Sequence, residues 1–359
     1  MKAKTVGILV VGTVLLSTCA SMTLAAKDLD SKPEIKVEPT KAQSKERPHM
    51  DLAFCIDTTG SMQGEIDMVK SKVKDLVAKL SSGKPAPIVR VGLVAFRDRG
   101  DAYVTNVYPF TEDIDKFVGD ISQLQADGGG DGPEALNQAL HASVNDLSWD
   151  KSNKTAKLLF LIGDAGPHYY PNDYKWEDEA RNAIAKGIQI NTLACDGLQS
   201  TGDGGIEVFQ QIAKLSDGQF ENLAYRQIVK DGSGKEKTVI SSGGAAYEIA
   251  ESASREWKSG AKALSAAGKA KPIMASPVVA ARSAAGYRSA RASMVPSLAG
   301  ATNGTIGADA YGTFADSAAS AGPSAGLGFA SVNRKDSNLD SLMYDAAMKK
   351  ARAKLNVSY

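Results

Sequence analysis

From residue 50 onward the chain alternates short apolar runs with stretches of helical spacing. Residues 52–56 are apolar throughout and read as a buried strand. Residues 62–80 then set Ile66, Val69, Val73, Leu76, Val77 and Leu80 on one face at a 3.6-residue period. Two β-rich runs follow, 88–96 and 104–110, and the Arg97-Asp98-Arg99-Gly100-Asp101 turn between them predicts a hairpin. Residues 114–124 have helical spacing, and Pro133 suits the first position of a helix over 133–147. A second strongly apolar strand, 157–162, is followed by a helix over 174–186, a strand over 189–194, a helix over 205–215 and a short strand at 219–223. This alternation predicts an α/β fold: a doubly wound, mostly parallel sheet with helices on both faces. Sheets of that kind bind ligands beyond the carboxyl ends of their strands.

The flanks have a different texture. Residues 1–26 read as an export signal, with Lys2 and Lys4 before the apolar stretch 6–16, which is shorter than the roughly 20 residues of a membrane span. Leu16-Ser17-Thr18-Cys19 resembles a bacterial lipobox and would lipidate Cys19 as a membrane tether; cleavage near Ala25 or Ala26 is the alternative. Either route exports the working part, to the periplasm, to a membrane-anchored place in the cell envelope, or into the medium. Residues 27–49 form a charged, proline-containing linker with little to bury, and the α/β domain spans 50–224. Beyond it, 225–229 and 237–240 predict a hairpin, and 245–264 a helix appended to the domain. Residues 265–332 are dominated by Ala, Ser and Gly and read as disordered, because so few large apolar groups do not offset ordering entropy. An amphipathic helix over 339–355 closes the terminal segment 333–359, free to dock on a partner, a membrane surface or its own domain.

Charge narrows the picture. Lys plus Arg total 42 against 41 Asp plus Glu, so no global field recruits nucleic acid. Three cysteines are too few for a disulfide scaffold.

The chemistry gathers at Asp57-Thr58-Thr59-Gly60-Ser61, where a strand end delivers one carboxylate and a tight turn presents Thr59 and Ser61. Hard divalent cations take oxygen ligands of this kind. Asp164 ends a second strand, and the stretch Gly128-Gly129-Gly130-Asp131-Gly132-Pro133-Glu134 lies between them. Each part has a plainer reading: an Asx turn and helix cap for the first motif, a dipole-favoured helix-start carboxylate for Glu134, a loop histidine for His168. In order, however, they resemble the von Willebrand factor type A domain with its metal-ion-dependent adhesion site. That family carries Asp-x-Ser-x-Ser after the first strand, a loop threonine, and an aspartate ending the fourth strand. The resemblance implies metal ligation by Asp57, Thr59, Ser61 and Asp164, with Asp131 at the threonine's place. It implies a divalent cation, foremost Mg²⁺ with Mn²⁺ or Ca²⁺ as alternatives, and a protein partner whose acidic side chain completes the site. Direct coordination by Asp131 would lessen the need for that acid. In the family's strand order one strand separates those of Cys55 and Cys195, or about 9.6 Å at twice the sheet spacing. That exceeds the roughly 7 Å a disulfide spans between Cα atoms, so both thiols are expected to stay unbridged.

The expectation is therefore a binding module without chemistry of its own. An enzyme is the alternative, since Asp-Thr-Thr-Gly-Ser also resembles the Asp-Lys-Thr-Gly-Thr nucleophile motif of haloacid-dehalogenase-like enzymes, which would make Asp57 a covalent nucleophile. Thr58 in the lysine position, and the absence of a general acid two residues after Asp57, argue against it. A structural envelope protein lacking bound metal is the third reading.

Overall fold

The computed structural model describes residues 47–130, 132–199, 204–230, 233–273 and 336–359, all within one compact unit that runs from residue 46 to the end. The export signal with Cys19, most of the 27–49 linker, Asp131, and 274–332 of the Ala/Ser/Gly-rich stretch lie outside the described residues.

Six strands form the main sheet: β1 (His49–Asp57), β2 (Ile88–Phe96), β3 (Thr105–Thr111), β4 (Ala156–Gly163), β5 (Ile188–Ala194) and β6 (Phe220–Asn222). Their order is β3-β2-β1-β4-β5-β6, and every pairing is parallel except the β2–β3 hairpin. Central β1 and β4 are apolar on both faces because helices cover both, as a doubly wound sheet requires. On one face Phe54 and Phe160 stack at 5.8 Å beneath α1 (Gln63–Ser81) and α2 (Ile114–Ile121). On the other, Cys55 and Leu161 meet α3 (Leu136–His141), α4 (Trp176–Ala185) and α5 (Gly205–Leu215). Cys55 and Cys195 are buried and not joined to each other, with β4 between their strands.

Strand order reverses between β1 and β4. The chain leaves β1 toward β2 on one side and reaches β4 on the other, which opens a crevice at their carboxyl ends. Asp57 closes β1 and Asp164 follows β4, so both acids stand at that crevice.

Three sequence expectations need correction. The helix expected over 133–147 starts only at Leu136 and gives way to a π turn at Ala142–Asp146. Pro133 and Glu134 stay outside it because the Glu134 backbone is bonded to the loop after β4. The helix expected over 245–264 is instead strand β9 (Ala245–Ile249), a 3₁₀ segment (Glu251–Ser259) and helix α6 (Gly260–Ala266). Residues 265–273 are not a disordered start to the tail, since they contain strand β10 (Ala270–Ile273). With β7 (Tyr225–Lys230) and β8 (Glu236–Ser242) these strands make a second, antiparallel sheet ordered β10-β9-β8-β7. Gly243 and Gly244, at φ of 57° and 76°, form the tight turn that reverses β8 into β9.

The terminal helix α7 (Leu339–Leu355) belongs to the main core. Leu339, Met343, Ala347, Met348 and Ala351 are buried in the same cluster as Leu52, Phe54 and Phe160. Asn338 pins its start: its N–H donates to Ala224 O at 3.0 Å, and its Oδ1 accepts from Ala224 N at 2.8 Å. Among the described residues no helix is long and apolar enough to cross a membrane.

Candidate metal centre

The first motif folds back on its own carboxylate. Thr59 donates its backbone N–H at 2.8 Å and its hydroxyl at 2.7 Å to Asp57 Oδ1. Asp57 Oδ2 is buried with no hydrogen-bond partner among the described residues. Thr58 turns the other way and holds Phe96 O with its N–H and its hydroxyl, each at 2.8 Å, which fixes the strand end. Ser61 is exposed in the 3₁₀ turn Gly60–Met62 that leads into α1.

The glycine-rich loop docks on this turn through Asp127 N to Thr58 O at 3.0 Å and Gly60 N to Gly128 O at 3.2 Å. Gly129 has φ of 80°, and a Cβ there would stand 2.9 Å from Thr59 Cβ and 3.2 Å from Glu134 Oε1. Only glycine lets the loop approach so closely with that backbone. Asp131, two residues on, is outside the described residues.

Acidic side chains crowd this crevice. Burial raises the Asp57 carboxyl to about 8, and the Asp164 charge pushes the same way against the two Thr59 bonds. Glu134 rises to about 10, first through burial and then through the charges of Asp57, Asp98, Asp101 and Asp164. Like charges held out of water disfavour ionisation until a cation joins them.

The donor set suits a hard cation. Asp57 offers a buried unsatisfied oxygen, and the Thr59 hydroxyl, its proton committed to Asp57, keeps its lone pairs. Among the described residues, however, no three His, Cys, Asp or Glu side chains group closely enough to hold an ion by themselves. Hydroxyls and water are needed beside the carboxylates.

The structure thus brings Asp57, Thr59 and Asp164 into one crevice and puts Ser61 on the turn beside it. It corrects the reading of Glu134. Rather than a dipole-favoured carboxylate in the first turn of a helix, it precedes the helix, is 2% exposed, and faces the charges of Asp57, Asp98, Asp101 and Asp164. The Pro-Glu dipeptide resembles a helix start, and only the bonding of its backbone to the β4 loop shows otherwise. His168 sits at the rim, its Nδ1 3.3 Å from Asp98 Oδ2 and its ring stacked on Tyr170 at 4.1 Å. Tyr170 donates its hydroxyl to Asp98 at 2.6 Å, and Arg99 lies 4.0 Å over the Tyr170 ring. Tyr169 is 64% exposed on the same loop.

A crevice at the switch point, lined with carboxylates and hydroxyls, stands where doubly wound sheets bind their ligands. Residues 51–224 match the family model of the von Willebrand factor A domain, and that segment is a domain of this family. Hemicentin-2 of Mus musculus is 26% identical over 190 residues, covering 53% of this chain and 4% of that protein. The human von Willebrand factor A domain-containing protein 7 is 37% identical over 120 residues, covering 33% and 12%. The chain therefore spans only a small part of these relatives' own length. Among solved structures, the conserved hypothetical protein BatB from Bacteroides thetaiotaomicron is 18% identical, with a TM-score of 0.35 over 48% of this chain and 88% of that one.

Proposed function

We propose that the domain binds a protein partner through a divalent cation, foremost Mg²⁺, held by Asp57, Thr59, Ser61 and Asp164, with Asp131 contributing from the glycine-rich loop. The observation that carries the reading is Asp57: one oxygen is doubly bonded by Thr59, and the other is buried without a hydrogen-bond partner among the described residues. Bound there, the cation would supply a Lewis-acidic point for a carboxylate of the partner. The rim loop contributes contact area beside it, since exposed aromatics and arginine are the side chains that anchor protein interfaces. Tyr169 and Arg99 are of that type. The reading includes no catalysis by the chain and places it outside the cytoplasm, in the cell envelope or tethered through Cys19.

The test is capture of binding proteins by the purified chain with Mg²⁺, with EDTA, and by Asp57→Ala with Mg²⁺. Partners retained only by the wild-type chain with Mg²⁺ are expected. The same partners in all three arms would contradict a metal-borne binding surface. Turnover of a phosphate ester that ceases in Asp57→Ala would replace the reading with an enzymatic one.

A further inference from the structure

Glu134 has a place in the crevice that the proposed ligand set leaves unexplained. Its backbone is clamped to the loop after Asp164: Glu134 N donates to Gly166 O at 2.9 Å, and Glu134 O accepts from His168 N at 2.7 Å. The clamp delivers the side chain to the inner side of the glycine-rich loop, where Gly129 separates Oε1 from Thr59. There the residue is 2% exposed, and Oε2 has no hydrogen-bond partner among the described residues. Arg97, whose carbonyl accepts from Ala135 N, turns its two terminal guanidinium nitrogens away, one to Gln125 O at 3.0 Å and one toward Asp127 at 3.6 Å, while its buried Nε has no hydrogen-bond partner among the described residues. A buried carboxylate oxygen aimed among other acids lacks the donor that its burial demands.

Distance limits what that donor is. Glu134 does not converge with Asp57 and Asp164 closely enough for the three to chelate a bare ion. Mg²⁺ dehydrates reluctantly and keeps several waters, whose protons are hydrogen-bond donors. We infer that Glu134 is an outer carboxylate of the metal site, accepting from cation-bound water, and that with it the chain holds a hydrated cation before any acidic partner arrives. The inference rests on the metal reading above and specifies what completes the site.

Removing an outer-sphere partner of a metal lowers affinity by about 10–100-fold. The experiment is calorimetric titration of Mn²⁺ into the metal-stripped full chain, without partner, for wild type, Glu134→Gln, Glu134→Asp and Asp57→Ala. Metal-free melting temperatures are recorded in parallel. Wild type is expected to bind, Asp57→Ala to lose binding, and Glu134→Gln to bind about 10–100-fold more weakly without a lowered metal-free melting temperature. Glu134→Asp, which keeps the charge, should fall between, and it carries the test if Glu134→Gln does not fold. Unchanged Mn²⁺ affinity in the Glu134 variants, with or without a lower melting temperature, overturns this inference and leaves the metal reading standing. No Mn²⁺ binding by wild type overturns both.

Discussion

Thr59 gives both of its donors to a single oxygen of Asp57, at 2.8 and 2.7 Å, so the two oxygens of that buried carboxylate have opposite fates. Oδ1 is satisfied inside the turn, and Oδ2 is buried with no hydrogen-bond partner among the described residues. The arrangement predicts that Thr59→Val, which removes the hydroxyl and keeps the shape, will cost about 1–3 kcal/mol by leaving a buried carboxylate short of a donor. Denaturant unfolding in EDTA measures that cost. In Mg²⁺ the deficit should widen, because the hydroxyl is also a proposed ligand.

Metal-free stability should fall as pH rises. Asp57 is raised from 3.8 to about 8 and Glu134 from 4.5 to about 10, so above pH 5 the folded chain holds protons that the unfolded chain has released. Stability is full below the unfolded values and declines as pH climbs through the folded ones. Melting temperatures in EDTA are expected to drop from pH 5 to pH 8. Saturating Mg²⁺ should raise melting more at pH 8 than at pH 5, since its ligands must be deprotonated. A flat profile in EDTA would contradict the crowded-acid description.

Tyr225 ties the second sheet to the first. Its buried hydroxyl donates to Glu65 Oε1 at 2.8 Å on α1 and accepts from Asp196 N at 3.2 Å after β5. Tyr225→Phe is expected to destabilise by about 1–3 kcal/mol through loss of bonds to buried groups. Chemical denaturation read by both fluorescence and circular dichroism checks it.

Helix α7 is part of the core that supports β1 and β4. Met343 is 1% exposed there, so Met343→Ala should cost about 2–5 kcal/mol. A surface helix reserved for a partner or a membrane would show a change near zero in the same unfolding measurement.

Period and order carried much of the fold in the chain itself. The 3.6-residue stripe from Ile66 to Leu80 and the apolar runs of β1 and β4 are local signals, and so are the acids at the two strand ends. What stayed hidden depends on partners distant in sequence. Ala245–Ile249 is small and alanine-rich, and becomes a strand because β8 and β10 flank it. Its signal was the Gly243-Gly244 pair, a hairpin turn that outweighs helical spacing. Glu134 reads as a helix start from Pro133 alone; the bonds that bury it come from Gly166 and His168. Asp57 and Thr59 were legible because their whole interaction lies within three residues.

The central claim is that Asp57 belongs to a cation site, and thermal unfolding with and without Mg²⁺ tests it most directly. A ligand at 100 times its Kd stabilises by about 2.7 kcal/mol, a shift of several degrees for a domain of this size. Wild type in Mg²⁺ at pH 8 should melt that much higher than in EDTA, while Asp57→Ala should melt at one temperature in both. No Mg²⁺ shift in wild type, or an equal shift in Asp57→Ala, would contradict the account.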